Sequence, residues 1–127
     1  MNIKKQCVEI WKEIALIKAG YKSELSGKEG TQIGGEYTLQ VHHIGRKPNY
    51  RLLLELDNAI VLTKWEHHRG IHGDHEEEYR ELIKKVKGKD IYERMLALKR
   101  QHGKSDLQLV KIFLKNELEA LKGLNNY

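Results

Sequence analysis

The central stretch of the chain reads LQVHHIGRKPNYRLLLELDNAIVLTKWEHHRGIHG and covers residues 39–73. With its flanking residues, the segment YTLQVHHI at 37–44 is rich in β-forming residues and partly alternating, which predicts a short strand. The Asp57-Asn58 pair predicts a turn. The segment AIVLT at 59–63 then predicts a second strand, antiparallel to the first.

Histidines mark both the first strand and the helix that follows the second. His42 and His43 end the strand and point to opposite faces, because side chains alternate along a strand. The segment KWEHHRGIHG begins a helix after Thr63, and His68 and His72 are four residues apart within it. Two imidazoles at this spacing share one helix face and can bind one metal ion.

Helices flank this stretch on both sides. The apolar spacing of residues 3–19 predicts an amphipathic helix that ends at Gly20, and a polar loop over 21–36 follows it. We therefore expect a single α+β domain over 1–127, with a core motif at about 37–73 and a helical extension over 74–122. Four helix starts carry capping pairs: Thr63 with Glu66, Asp74 with Glu77, Asp90 with Glu93, and Ser105 with Gln108.

Composition restricts the class of protein. No apolar run is long enough to span a bilayer, and charges interrupt the apolar residues of the N-terminus, which excludes a secretory signal. The single cysteine, Cys7, allows no internal disulfide. We expect it to be a small buried side chain on the apolar face of a helix. We expect a cytoplasmic protein without a membrane partner. The net charge of +5 favours a polyanion such as nucleic acid.

The order of these elements resembles that of the HNH nucleases, the ββα-metal or His-Me-finger family. It runs from a strand ending in His-His through an Asp-Asn turn and a second strand to a histidine-bearing helix. The three named positions of the family motif fall on His43, Asn58 and either His68 or His72. The resemblance implies that His43 is the general base and that Asn58 holds it in orientation. It also implies that His42, His68 and His72 bind one divalent metal ion.

The resemblance also implies the fold and the cofactor. The fold would be a small treble-clef-like ββα-metal core, flanked by an N-terminal helix and three C-terminal helices. Magnesium or manganese would support turnover, while zinc or nickel would also bind an imidazole site. No structural zinc is expected, because the family's two Cys-x-x-Cys pairs fall on Ser23 with Ser26 and on Lys64 with His67.

Basic residues surround the expected site: Arg46, Lys47, Arg51 and Arg69. In the nuclease interpretation they bind the phosphates on either side of the cut, and otherwise they are solvated surface. His67 is five residues from His72, and the α-helical spacing puts it off the shared face, near the metal site or in solvent.

The later part of the stretch is also similar to the NinG-type recombination proteins of lambdoid phages, through Glu78-Tyr79-Arg80 and Leu82-Ile83. The predicted function is thus a metal-dependent DNA endonuclease, with a phage or prophage role in recombination or replication and the host cytoplasm as its place of action. RNA stays open as a substrate, and so does the oligomeric state. One alternative is a non-catalytic nucleic-acid-binding module with the same fold. Another is an interaction protein that unfolds when a structural zinc is removed.

Overall fold

The computed structural model describes residues 2–30, 38–45, 54–71, 73–98 and 106–124, without the side chains of Arg69 and Leu124. These residues form a mixed α+β structure with a two-stranded sheet, which confirms the predicted class at that level. In chain order its elements are α1 Ile3–Lys18, β1 Leu39–His43, a 3-10 turn Leu56–Asn58, β2 Ala59–Thr63, a π-helix Glu66–Ile71, α2 Glu76–Lys87, α3 Lys89–Leu98 and α4 Leu107–Leu124.

The first helix has a defined start and a defined end. The Asn2 side chain accepts a hydrogen bond from the Lys5 N–H at 2.9 Å and caps the first turn. At the other end Gly20 takes φ +66°, and the Tyr21 N–H donates to the Leu16 carbonyl at 3.0 Å. This closes the last turn as a Schellman motif, so the helix ends at the glycine that the sequence predicted.

The hairpin pairs β1 with β2 in antiparallel register, from Leu39 opposite Thr63 to His43 opposite Ala59. This confirms both predicted strands and their relative direction. The Asp57-Asn58 turn is part of a 3-10 turn that leads directly into β2. All five side chains of β2 are buried, so this strand lies in the centre of the structure and fixes the position of β1 beside it.

The hairpin carries an apolar cluster on each face. One face packs against α1, which in turn packs against α4, and the other face packs against the π-helix and α2. The buried members on the α1 side are Cys7, Trp11, Ile14, Leu54, Ala59 and Leu114. Those on the π-helix side are Ile60, Leu62, Ile71 and Ile83.

Three helix starts differ from the predicted capping pairs. Helix α3 begins at Lys89, so the predicted cap Asp90 lies inside its first turn. Helix α2 begins at Glu76 after His75, whose side chain makes no capping hydrogen bond, whereas Asp74 was the predicted cap. Helix α4 is capped by Asp106, whose carboxylate accepts from the Gln108 and Leu109 N–H groups. The predicted cap Ser105 lies beyond the residues that the structure describes.

Within the described ranges, no helix has both the length and the apolar character needed to cross a bilayer.

Candidate functional site

Two histidine rings meet between β1 and the π-helix. His42 Nδ1 lies 3.1 Å from His67 Nε2, and the two ring centroids are 4.9 Å apart. His67 Nδ1 lies 2.6 Å from the side-chain oxygen of Gln40, the residue two positions before His42 on the same strand face. His42 is only 8% exposed, so its ring is largely out of water. Strand and helix thus hold two imidazole nitrogens against each other.

The two nitrogens are within hydrogen-bond distance, and their separation is also close to that of two ligands of one metal ion. Two nitrogens bound to one tetrahedral zinc at about 2.0–2.1 Å each lie about 3.3 Å apart. His42 Nδ1 and His67 Nε2 are within a few tenths of an ångström of that separation. Among the described residues no group of three or more His, Cys, Asp and Glu side chains comes together as a metal site. The described part of the chain therefore brings together two imidazole nitrogens, those of His42 and His67.

The π-helix explains why His67 meets His42. In a π-helix the hydrogen bonds join residues five apart, so each turn holds more residues than the α-helical turn that the sequence interpretation assumed. His67 is half-buried against the strand, while His68 is exposed, with its ring centroid 5.2 Å from that of His67. The structure places His67, not His68, against His42; which of the two helix histidines binds a metal ion stays a prediction.

Contacts at both ends hold this π-helix. At its start Glu66 and Thr63 form the predicted capping box, with the Thr63 N–H donating to Glu66 Oε1 at 2.8 Å and the Glu66 N–H to Thr63 Oγ1 at 3.2 Å. Near its end, a Cβ on Gly70 would come within 2.8 Å of the Tyr79 ring. A side chain at this position would have to displace the Tyr79 ring, which lies against the helix backbone at Gly70. Ile71 is buried in the core beside it.

Tyr79 is the α2 side chain that covers this helix. Its ring also makes an edge contact with Trp65, with centroids 6.4 Å apart. Burial raises the pKa of the Tyr79 phenol above its ordinary value, and the negative charges of Glu66 and Glu78 raise it further.

His43 faces the opposite side of the hairpin. Its ring stacks on the indole of Trp11, with centroids 4.3 Å apart and planes within 8°. The Trp11 Nε1–H donates to the Glu55 carbonyl at 2.8 Å, which fixes the indole in place. The alternation predicted for the His42-His43 pair is confirmed: one ring contacts the π-helix side and the other contacts α1. His43 is half-buried at the end of β1.

Asn58 closes the base of the hairpin loop. It is fully buried, and its side chain bonds both backbone groups of one residue. The Gly45 N–H donates to Asn58 Oδ1 at 2.7 Å, and Asn58 Nδ2 donates to the Gly45 carbonyl at 3.1 Å. Gly45 is two residues after His43, so Asn58 fixes the backbone at the point where the chain leaves β1.

A hydrogen-bonded cluster lies near the positions where the family resemblance placed zinc-knuckle cysteines. Ser23 Oγ donates to Glu66 Oε1 at 2.6 Å and accepts from the Ser26 N–H at 3.1 Å. The sequence interpretation matched Ser23 and Ser26 with Lys64 and His67. The structure instead joins Ser23 to Glu66, one position before His67, because the capping box turns that carboxylate inward. The buried Glu66 carboxylate and the Ser23 hydroxyl therefore connect the loop after α1 to the helix.

Several predicted site residues lie outside the described part of the chain. These are His72, Arg46, Lys47 and Arg51, together with the side chain of Arg69. Their assignment to the metal and to phosphates stays a prediction from the sequence.

Comparisons with protein-family models, with curated proteins and with solved structures found no match to this chain.

Three residues of the site were not singled out as functional by the sequence. Gln40 could have been found, because it shares a strand face with His42. The contact of Trp11 with His43 and that of Glu66 with Ser23 join distant parts of the chain, and no local pattern indicates such pairs.

Proposed function

We propose that this protein is a metal-dependent endonuclease of the ββα-metal type that hydrolyses phosphodiester bonds in DNA. The observation that carries the proposal is the approach of His42 Nδ1 to His67 Nε2 at 3.1 Å, between the hairpin and the helix that follows it. The sequence motif requires a ligand on the first strand and ligands on that helix. The antiparallel hairpin and the fully buried Asn58 support the same arrangement.

The proposed metal ligands are His42 Nδ1 and His67 Nε2, with His72 as the third. His72 is included from the sequence motif, and it lies outside the described residues. A set of imidazole ligands binds zinc or nickel more tightly than magnesium or manganese. The latter two ions prefer oxygen ligands, several of which come from water and the substrate. A bound divalent ion would stabilise the negative charge that develops on the scissile phosphate and the departing 3′ oxygen.

His43 is the proposed general base. Imidazole is suited to accept a proton near neutral pH, here from the water that attacks the phosphorus. Stacking on Trp11 fixes the plane of the ring, and the bonds of Asn58 to Gly45 fix the backbone just after it. In this proposal the two adjacent histidines act differently because they lie on opposite faces of one strand.

The net charge of +5 supports a nucleic acid substrate. We propose DNA, and the resemblance to NinG-type proteins extends the proposal to recombination or replication DNA of a phage or prophage. The segment with this resemblance includes Tyr79, whose ring packs on Gly70. We propose that this packing holds the histidine-bearing helix in place.

Cleavage of supercoiled plasmid tests the proposal, with magnesium, manganese, nickel and zinc added in turn. The parent protein is compared with His43→Ala, and DNA binding is measured in parallel at several salt concentrations. The control is His75→Ala, since His75 is exposed and pairs at its surface with Glu78. We expect the parent and the control to cut, and His43→Ala to bind DNA without cutting.

Two results would contradict the nuclease proposal. If the parent and the variants bind DNA but none of them cuts it with any metal, the result favours the non-catalytic binding module. Unfolding of the parent when metal is removed favours a structural zinc protein. The apolar clusters on both hairpin faces predict instead that the metal-free protein stays folded.

A further inference from the structure

A glutamine next to the proposed metal ligands has no part in the motif. The Gln40 side-chain oxygen lies 2.6 Å from His67 Nδ1, a short distance for a hydrogen bond to nitrogen. Gln40 is opposite Leu62 in the hairpin, and Leu62 is fully buried. The sheet therefore fixes the backbone from which this side chain reaches His67.

The chemistry of this contact determines which nitrogen of His67 carries the proton. A carbonyl oxygen only accepts hydrogen bonds, so His67 Nδ1 must be the donor. In a neutral imidazole the other nitrogen then carries the lone pair. That nitrogen is Nε2, the atom 3.1 Å from His42 Nδ1. Gln40 thereby directs the lone pair of His67 Nε2 toward His42 Nδ1, which in the metal-free protein donates a hydrogen bond to it.

We infer that Gln40 is a positioning residue for the metal site: it fixes the tautomer and the ring orientation of His67 so that Nε2 is ready to bind the ion. This inference rests on the proposed function. Metal-bound histidines usually donate their second ring N–H to an oxygen acceptor, and loss of that acceptor weakens metal binding by about 10–100-fold. Here the acceptor and the first ligand, His42, are carried by the same strand face.

Two variants separate this role from a merely structural one. Gln40→Leu keeps a similar side-chain size and removes the acceptor, whereas Gln40→Glu keeps an oxygen at the same reach. A matched control is Thr38→Val, because Thr38 directly precedes the same strand and its buried hydroxyl has no hydrogen-bond partner among the described residues. Circular dichroism and thermal melting establish that each variant is folded.

The first measurement is calorimetric titration with zinc of the metal-free protein. We expect Gln40→Leu to bind zinc about 10–100-fold more weakly than the parent, with Gln40→Glu and Thr38→Val close to the parent. Equal affinity of Gln40→Leu and the parent would overturn the inference. An equal loss in Gln40→Glu would overturn it as well, because the acceptor is then not what matters.

The second measurement needs no metal. Long-range proton–nitrogen NMR spectra identify the tautomer of His67 in the metal-free protein at a pH where imidazole is neutral. We expect the proton on Nδ1 in the parent and a mixture of tautomers in Gln40→Leu, and a proton on Nε2 in the parent would refute the inference. A parent that shows the Nδ1 tautomer but binds no zinc would show that the proposed function has failed, and the positioning role with it. The inference alone fails when the parent binds zinc and Gln40→Leu binds it equally well.

Discussion

Replacing Asn58 with alanine should destabilise the protein strongly. The change removes two hydrogen bonds to Gly45, at 2.7 Å and 3.1 Å, inside a site where Asn58 is 0% exposed. The Gly45 N–H and carbonyl then lose their partners, and each buried polar group left in this way costs about 1–3 kcal/mol. The sum of about 2–6 kcal/mol is a large part of the 5–15 kcal/mol or so by which a domain is stable.

Urea unfolding followed by circular dichroism measures this loss. With a slope of about 1–3 kcal/mol per molar urea, a loss of about 4 kcal/mol lowers the midpoint by more than about 1 M. The neighbouring residue provides the control: Asp57 pairs with Arg94 at the surface, and such exposed pairs contribute about 0–1 kcal/mol. We expect Asp57→Ala to change the midpoint little. Equal midpoints for Asn58→Ala and Asp57→Ala would refute the structural role given to Asn58.

Three further predictions follow from buried groups around the site. Gly70→Ala should lower the free energy of unfolding by about 1–3 kcal/mol, because the new Cβ meets the Tyr79 ring at 2.8 Å. In urea unfolding, the control Gly123→Ala should leave the protein equally stable or more stable, since nothing lies within 4 Å of its Cβ. The pKa of the Tyr79 phenol is raised in the folded protein above its ordinary value of 10.0, so the phenol favours the folded state below pH 10.0. This contribution is lost as the pH rises through the higher folded value, and the melting temperature of the parent should therefore fall more steeply in that range than that of Tyr79→Phe. Parallel curves of melting temperature against pH would contradict this. Cys7 is fully buried, and burial raises the pKa of its thiol, while Lys111 lowers that pKa by a smaller amount. A thiol reagent should therefore label Cys7 only when urea unfolds the chain. Rapid labelling of the folded protein would contradict this packing.

The hairpin could be predicted from the sequence because its signals are local. Alternation in the first strand, the Asp57-Asn58 turn and the apolar run after it each act within a few residues, and the structure confirms them. The same is true of α1, whose period and terminal Gly20 are local features. Alternation along β1 also predicted correctly that His42 and His43 face opposite sides.

The partner of His42 could not be predicted in this way. Assigning His68 to the strand-facing side assumes an α-helix of about 3.6 residues per turn. The π-helix over Glu66–Ile71 shifts that position to His67. It is held by contacts that lie far apart in sequence, among them Ser23 with Glu66 and Tyr79 with Gly70. Periodicity carries no information about such contacts.

The proposed metal site is tested most directly by comparing two adjacent histidines. His67→Ala and His68→Ala remove the same side chain one position apart, and plasmid cleavage is measured for both under the metal conditions that support the parent. We expect His67→Ala to lose cleavage, because His67 Nε2 lies 3.1 Å from His42 Nδ1. We expect His68→Ala, which changes an exposed ring, to keep it. Loss of cleavage in His68→Ala with normal cleavage in His67→Ala would contradict the metal site proposed for this fold.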